Sequence, residues 1–297
     1  MKKLIRKYIK SHKKLYKFYT DIRYRKLAKI RNWVLFNQKF ISDNQLNCFI
    51  FYKDRTYVRV WDNVEFLYIP ELLGGLLGVE KKNGFETREV DYVILQIKDK
   101  HTIFDIGANF GLYSILLAKT CGNVKIHSFE PVQSTFNIFK HNISHNGVSE
   151  SIVANNCGLA DKVGNMLITT DKYSGNYLVM EENRKDDTVP VPILTLDSYV
   201  KKNRIDKVDL IKCDIEGAEL LMLKGAISTL KRDYPDIFIE ISDSWTQRFG
   251  YASIDVVNYL IDLGYHYKIF ANNGSLVAGS TDIADDVSIG SNFYFSK

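Results

Sequence analysis

The residues whose types and spacing best suit ligand chemistry are Asp105-Ile106-Gly107-Ala108-Asn109-Phe110-Gly111 and, 25 positions after Asp105, the pair Glu130-Pro131. An apolar run from Thr102 to Ile106 ends in a glycine turn and opens a helical pattern through Leu112, Ile115, Leu116 and Ala118. Strand, tight turn and helix in that order make a nucleotide-binding corner. Glycines there let the backbone approach a ligand, and Glu130, closing the next strand, can accept both ribose hydroxyls. A dinucleotide fingerprint needs glycines at 107, 109 and 112, where this chain has Gly107, Asn109 and Leu112. Asp105, at the tip of its strand, would repel a pyrophosphate and suit a cationic ligand with an amino group, such as S-adenosylmethionine.

A second constellation runs from Val208 to Glu219, where Leu210-Ile211-Lys212-Cys213-Asp214-Ile215-Glu216-Gly217 reads as a strand entering a helix. Ligands of open α/β sheets bind beyond the carboxyl ends of the strands, which is where Asp214 and Glu216 stand. The strand 236–241 brings Glu240 to the same edge, so three carboxylates are expected to converge near the glycine turn. Each also has a plainer explanation. Asp214 can cap the helix, Glu216 and Glu219 complement its dipole, and Glu240 can pair with Lys212.

The elements that must position these groups follow from periodicity. Strand-like runs at 102–106, 124–129, 151–156, 208–213 and 236–241 alternate with helical stretches at 110–120, 132–145, 217–231 and 253–262. That alternation implies right-handed crossovers and a mostly parallel sheet. Tyr265 to Ala271 and Asn292 to Phe295 have no helical pattern between them and are expected to form an antiparallel pair at the sheet edge. Upstream, Cys48 to Tyr52, Tyr57 to Trp61 and Val64 to Tyr68 suggest a small β meander, followed by helices at Leu72 to Leu77 and Thr87 to Lys98. Asp171 to Thr188 is polar and irregular; a stretch this long beside the cofactor corner reads as a substrate lid, with a disordered surface loop as the alternative.

Composition narrows the setting. With 297 residues, 45% apolar and 25% charged, the chain is of ordinary globular make-up, with no apolar run long enough to span a membrane. Four cysteines without metal spacing read as reduced core residues of a cytosolic protein. The net charge of +5 conceals an asymmetry: residues 1–31 hold 13 of the 40 basic residues and one acid, Asp21, leaving 27 bases and 34 acids elsewhere. The arm therefore carries +12 and the remainder −7. Apolar and basic positions alternate in the arm at helical intervals. Three readings fit: an amphipathic helix on an anionic membrane surface, a solvated or partner-packed helix, and nucleic-acid binding, which the acidic remainder opposes. No nucleic-acid partner is therefore expected. The domains drawn are a basic helical arm at 1–40, a β/α extension at 41–98 and a ligand-binding domain at 99–297.

Five ordered motifs resemble the FkbM-type methyltransferases: Asp105 to Gly111, Phe129-Glu130-Pro131, Asn142 to Gly147, Leu194-Thr195-Leu196-Asp197, and Ile211 to Glu219 with Leu223-Lys224-Gly225-Ala226. Pro235 to Ile241 fits the following strand, and the resemblance covers about residues 85 to 270. It implies a class I, Rossmann-like fold with a seven-stranded, mostly parallel sheet and an antiparallel edge strand. It also implies methyl transfer from S-adenosylmethionine to a hydroxyl, often of a sugar or natural product. The cofactor would be held by Asp105, Gly107, Asn109, Gly111, Glu130 and Pro131, with adenine near Asn156, Cys157 or Asp161. Cys157-Gly158 departs from the small apolar residues usual there.

A hydroxyl acceptor must lose its proton, and a placed general base contributes about 10²–10⁴-fold. Asp214, Glu216 and Glu240 are the candidates, acting directly or, for Asp214 and Glu240, through a Mg2+ ion that lowers the hydroxyl pKa; Lys212 could keep one of them ionised. His127 and His141 read as packed or solvated. Competing readings are an RNA methyltransferase, which lacks the Asn/Asp-Pro-Pro-aromatic motif of base-amine methylation, a nicotinamide oxidoreductase, which lacks its glycine pattern, and a non-catalytic membrane-associated scaffold. The acceptor expected is a hydroxyl-bearing small molecule, glycan or glycolipid intermediate. Sedimentation with anionic vesicles separates the readings of the arm: membrane contact requires the full chain to pellet and a chain lacking residues 1–31 to stay in solution, and equal sedimentation removes it.

Overall fold

A computed structural model of the chain describes residues 49–51, 55–60, 64–69, 87–170, 175–179, 187–273, 275–280 and 283–297. The basic arm, the expected helix at Leu72 to Leu77 and most of Asp171 to Thr188 lie outside them. Short apolar runs become the buried centre of an α/β sheet. Strands β4 (Thr102–Ile106), β5 (Lys125–Phe129), β6 (Ile152–Asn155), β11 (Leu210–Cys213) and β12 (Asp236–Glu240) run parallel. All four residues of β11 and four of five in β4 are buried, as expected for strands covered on both faces.

From β4 the chain steps outward through β5 to β6, while β11 and β12 lie on the other side of β4. Strand order thus reverses between β4 and β11, the crevice where open sheets bind ligands. Helix α1 (Thr87–Gln96) precedes β4, and helix α2 (Leu112–Thr120) is buried from Leu112 to Ala118 because it packs between the sheet and the elements upstream.

The order beyond β12 is β15 (Asn292–Ser296), β13 (His266–Phe270) and β14 (Leu276–Ala278). The expected antiparallel pairing of β13 with β15 is present, but β15 is inserted between β12 and β13 and is antiparallel to both. The edge belongs to a short eighth strand, β14, and a helix, Ile283–Ile289, lies where no helix was expected. Its seven residues are too few for periodicity to register.

The stretch 158–194 forms a second sheet that periodicity did not reveal: β7 (Gly158–Leu159), β10 (Thr188–Leu194), β8 (Gly164–Thr169) and β9 (Leu178–Val179), in that order. Pro190 and Pro192 disguise β10, since proline cannot donate to a ladder. Spaced by two, they present one edge of β10, and its other edge pairs with β8 from Thr188↔Thr169 to Ile193↔Gly164.

The helix expected at 217–231 is two helices, Glu219–Lys224 and Ile227–Asp233. It starts late because Glu216 and Gly217 have φ of 57° and 111°. It breaks at Gly225, which lies so close to the Ala160 carbonyl that a Cβ would stand 2.1 Å from its oxygen. Asp197 caps the second helix from outside, accepting from the Ser228 and Thr229 amides at 2.9 Å.

The upstream meander is β1 (Phe49–Phe51), β2 (Thr56–Val60) and β3 (Val64–Leu67), antiparallel throughout. It is seated on helix α3 (Gln133–His145) and its C-terminal cap by two asparagines. Asn142 Oδ1 accepts from the Leu67 amide at 2.9 Å, and its Nδ2 donates to Phe110 O at 2.9 Å. Asn146 accepts from the Glu65 amide at 3.0 Å and donates to the Glu65 carbonyl at 2.7 Å. These side chains act as the missing neighbour of an edge strand. Among the described residues no helix is long and apolar enough to cross a membrane. Asn142→Ala is expected to lower the unfolding free energy by about 2–4 kcal/mol in urea titration, because it orphans the Leu67 amide and the Phe110 carbonyl.

Candidate active site

The glycine turn is shaped by what lies against it. Gly107 (φ 78°) faces the Asp214 backbone, and a Cβ there would stand 1.8 Å from the Asp214 carbonyl oxygen. Only glycine permits this contact between the ends of β4 and β11. Asn109 takes φ 51°, a conformation asparagine tolerates, and its amide donates to Glu130 Oε2 at 3.0 Å. The other Glu130 oxygen accepts from the Val132 amide at 2.8 Å. Each oxygen retains a second acceptor site. Burial raises the Glu130 carboxyl to about 7, against the opposing pull of the two amides and of Lys212.

A cleft of about 630 Å³ opens at this switch point, lined by Gly107, Asn109, Glu130 and Pro131 on one side and by Asp214, Ile215 and Glu216 on the other. Gly158, Leu159, Ile168, Asn176 and Leu178 from the second sheet and its loop form a further wall. Sequence reasoning missed these five, apart from placing Asn176 and Leu178 in a substrate lid. Of the described residues in that stretch, 175–179 and 187–188, Asn176 and Leu178 line the cleft.

Several expected ligand contacts stand behind the cleft. Asp105 is fully buried, and its Oδ2 accepts from the Ser114 amide at 3.1 Å and the Ser114 hydroxyl at 2.5 Å. It fastens the turn to α2 and does not line the cleft. Gly111 backs onto the Phe139 ring, which a Cβ would meet at 2.3 Å, and serves as the left-handed N-cap of α2. Asn156 donates to the carbonyls of Glu130 and Pro131 at 2.9 and 3.0 Å, so it positions the strand end. Cys157 is buried in the core, its thiol pushed up to about 11 by burial. The Asp161 backbone abuts Gly225, and neither Cys157 nor Asp161 is in the cleft wall, whose corresponding residues are Gly158 and Leu159.

On the acidic side, Lys212 is 4% exposed. Its Nζ donates to Gly107 O at 3.0 Å and lies 3.5 Å from Asp105 Oδ1 and 3.6 Å from Asp214 Oδ2. It is a buried clasp between the two strand ends and a counter-charge for Asp214. The Asp214 side chain is 38% exposed and does not cap the following helix, whose N-cap is Ala218. Glu240, half-buried, accepts from Ser291 Oγ at 3.4 Å and is not in the cleft wall. Two of the three expected carboxylates therefore meet the cleft. Among the described residues no three His, Cys, Asp or Glu side chains gather as a metal site requires, so the ion expected at Asp214 and Glu240 has no ligand set there. His127 is packed, bonded through Nδ1 to Tyr199 Oη at 2.9 Å, with its pKa lowered by burial to about 4.

Glu219 holds the turn that presents Asp214 and Glu216. Its Oε1 accepts from the Ile215 and Gly217 amides at 3.3 and 3.0 Å, while Tyr251 Oη donates to the Gly217 carbonyl.

A glycine turn and a carboxylate facing an acidic turn across the switch point of such a sheet define a Rossmann-like, class I methyltransferase fold. The family model for the methyltransferase FkbM domain matches residues 105–267, and the chain belongs to that family. It is 28% identical to methyltransferase sdnD of Sordaria araneosa over 164 residues, covering 45% of this chain and 63% of that protein. It is 20% identical to hexuronic acid methyltransferase AglP of Haloferax volcanii over 208 residues, covering 70% of this chain and 78% of that protein. A crystal structure of an FkbM methyltransferase from Methylobacillus flagellatus aligns with a TM-score of 0.47 and 17% identity, covering 77% of this chain and 55% of that one. The chain thus spans less than two thirds of sdnD and of the crystallised protein.

Burial raises the Glu219 carboxyl from 4.5 to about 7, so between these values the folded chain holds a proton that the unfolded chain lacks. Stability from this group is then lost as pH rises through that window. Relative to Glu219→Gln, which keeps the accepting oxygen, the natural chain is expected to be less stable at about pH 8 than at about pH 5, by about 2 kcal/mol in urea titration.

Proposed function

We propose that the chain transfers a methyl group from S-adenosylmethionine to a hydroxyl oxygen of a sugar or glycan. The observation that carries this reading is the cleft itself, with ribose-type acceptors on one side and an ionisable carboxylate on the other. Glu130 keeps acceptor sites for two hydroxyls, and Asn109 Oδ1 is buried without a hydrogen-bond partner, so an N–H donor of the ligand would satisfy it. Pro131, Val132, Leu159, Ile168 and Leu178 offer an apolar wall for an adenine ring.

The cofactor supplies, when bound, a methyl group activated on a sulfonium. The chain's own residues bind, align and deprotonate the acceptor. Alignment accounts for up to about 7–11 kcal/mol of such a barrier. Asp214 is the base this geometry favours, because it is both at the cleft and partly exposed, with the Lys212 ammonium 3.6 Å from its Oδ2 to orient it. Glu216, in the same wall, is assigned to an acceptor hydroxyl in this reading.

Sugar acceptors are supported by the similarity to AglP, a hexuronic acid methyltransferase, and membrane-proximal ones by the charge of the arm. Asp214→Ala is expected to lower kcat by about 10²–10⁴-fold while cofactor affinity stays within a few-fold. Calorimetric titration with S-adenosylmethionine, combined with turnover on a panel of sugars and glycolipids, checks both halves; an active variant removes Asp214 as base.

A further inference from the structure

One cation beside the cleft has no part in the chemistry so far. The Arg248 guanidinium lies 3.8 Å from the centroid of the Tyr177 ring and 4.2 Å from that of Trp245, held between two aromatic faces. Its Nη1 is buried with no hydrogen-bond partner, and among the described residues no carboxylate forms a salt bridge with it. Neither ring lines the cleft itself, but each adjoins a segment that does. Tyr177 sits between Asn176 and Leu178, which line the cleft. The Trp245 backbone packs on Gly217, whose absent Cβ would stand 2.4 Å from the Trp245 carbonyl oxygen, so the stack adjoins the turn that carries Asp214 and Glu216.

We propose that Arg248 is a specificity residue for the acceptor, recognising an oxyanion on it: the carboxylate of a uronic acid or the phosphate of a sugar phosphate. This rests on the methyltransferase reading above. A guanidinium is charged at all relevant pH values, and stacking its faces leaves only its N–H edge for bonding. That edge matches a carboxylate or phosphate in a fork. Stacking also fixes the side chain before the ligand arrives, which reduces the ordering cost of binding. The assignment explains how a cleft bearing Glu130, Asp214 and Glu216 can admit an anion, since Arg248 offsets their repulsion on the acceptor side. It also gives the buried, unbonded donor an acceptor.

The test is calorimetric titration of the full chain saturated with S-adenosylhomocysteine, using phenyl glucuronide against phenyl glucoside and glucose phosphate against glucose. At least one anionic ligand is expected to bind about ten-fold or more tightly than its neutral counterpart. The pair that shows the preference identifies the oxyanion as carboxylate or phosphate. In Arg248→Gln the preference falls to within about two-fold, while Arg248→Lys, keeping charge without the fork, retains part of it. Unchanged S-adenosylhomocysteine affinity in both variants shows that they are folded. The proposal is overturned if the unaltered chain shows no preference, absence of anionic binding included, or if the preference survives in Arg248→Gln. Failure of S-adenosylhomocysteine to bind the unaltered chain overturns the cofactor reading, and this proposal with it.

Discussion

The contact on which the cleft depends is that between the ends of β4 and β11, where Gly107 meets the Asp214 backbone and Lys212 bridges the two. A side chain at 107 would collide with the Asp214 carbonyl at 1.8 Å, so the strand ends can close only around glycine. Lys212 then joins the Gly107 carbonyl to the carboxylates of Asp105 and Asp214. A buried ammonium among such partners costs desolvation, and its compensation is geometric. The clasp fixes the spacing between the ligand turn and the acidic turn, and thereby the width of the site.

Around this clasp the molecule uses buried polar side chains as backbone surrogates. Asn142 and Asn146 bond to β3 as a neighbouring strand would, and Asn142 also holds Phe110 in the ligand turn. Glu219 does the same for the acidic turn, and Asn156 for the strand end bearing Glu130. Loops that irregular leave backbone groups unpaired unless side chains satisfy them. The meander upstream is therefore tied, through a single asparagine, to the turn that meets the ligand.

The parallel core was legible in the sequence because buried strands of apolar residues alternate with longer helical patterns. That Gly107 and Glu130 reach the cleft was legible for a similar reason, since a glycine turn at one strand end and a carboxylate closing the next both face the carboxyl edge of the sheet. The second sheet was hidden by Pro190 and Pro192, which read as loop residues, and by strands of two residues. Depth was not legible at all. Asp105, Asn156 and Cys157 lie in the right motifs but on the far side of the ligand surface, and Glu240 ends a strand without reaching the cleft. Spacing along a chain places residues at an edge; which way a side chain turns there depends on packing from elements far away in sequence.

The insertion of β15 between β12 and β13 has a bearing on how the chain is made. Strand β13 pairs only with β14 and β15, so it has no place in the sheet until residues 292–296 arrive. During synthesis β12 keeps an open, apolar edge through more than fifty further residues, of the kind that pairs promiscuously. The glycine turn and Glu130 are synthesised long before that edge is sealed, so one wall of the cleft can form while three of the eight strands of the sheet, β13, β14 and β15, still have no place in it.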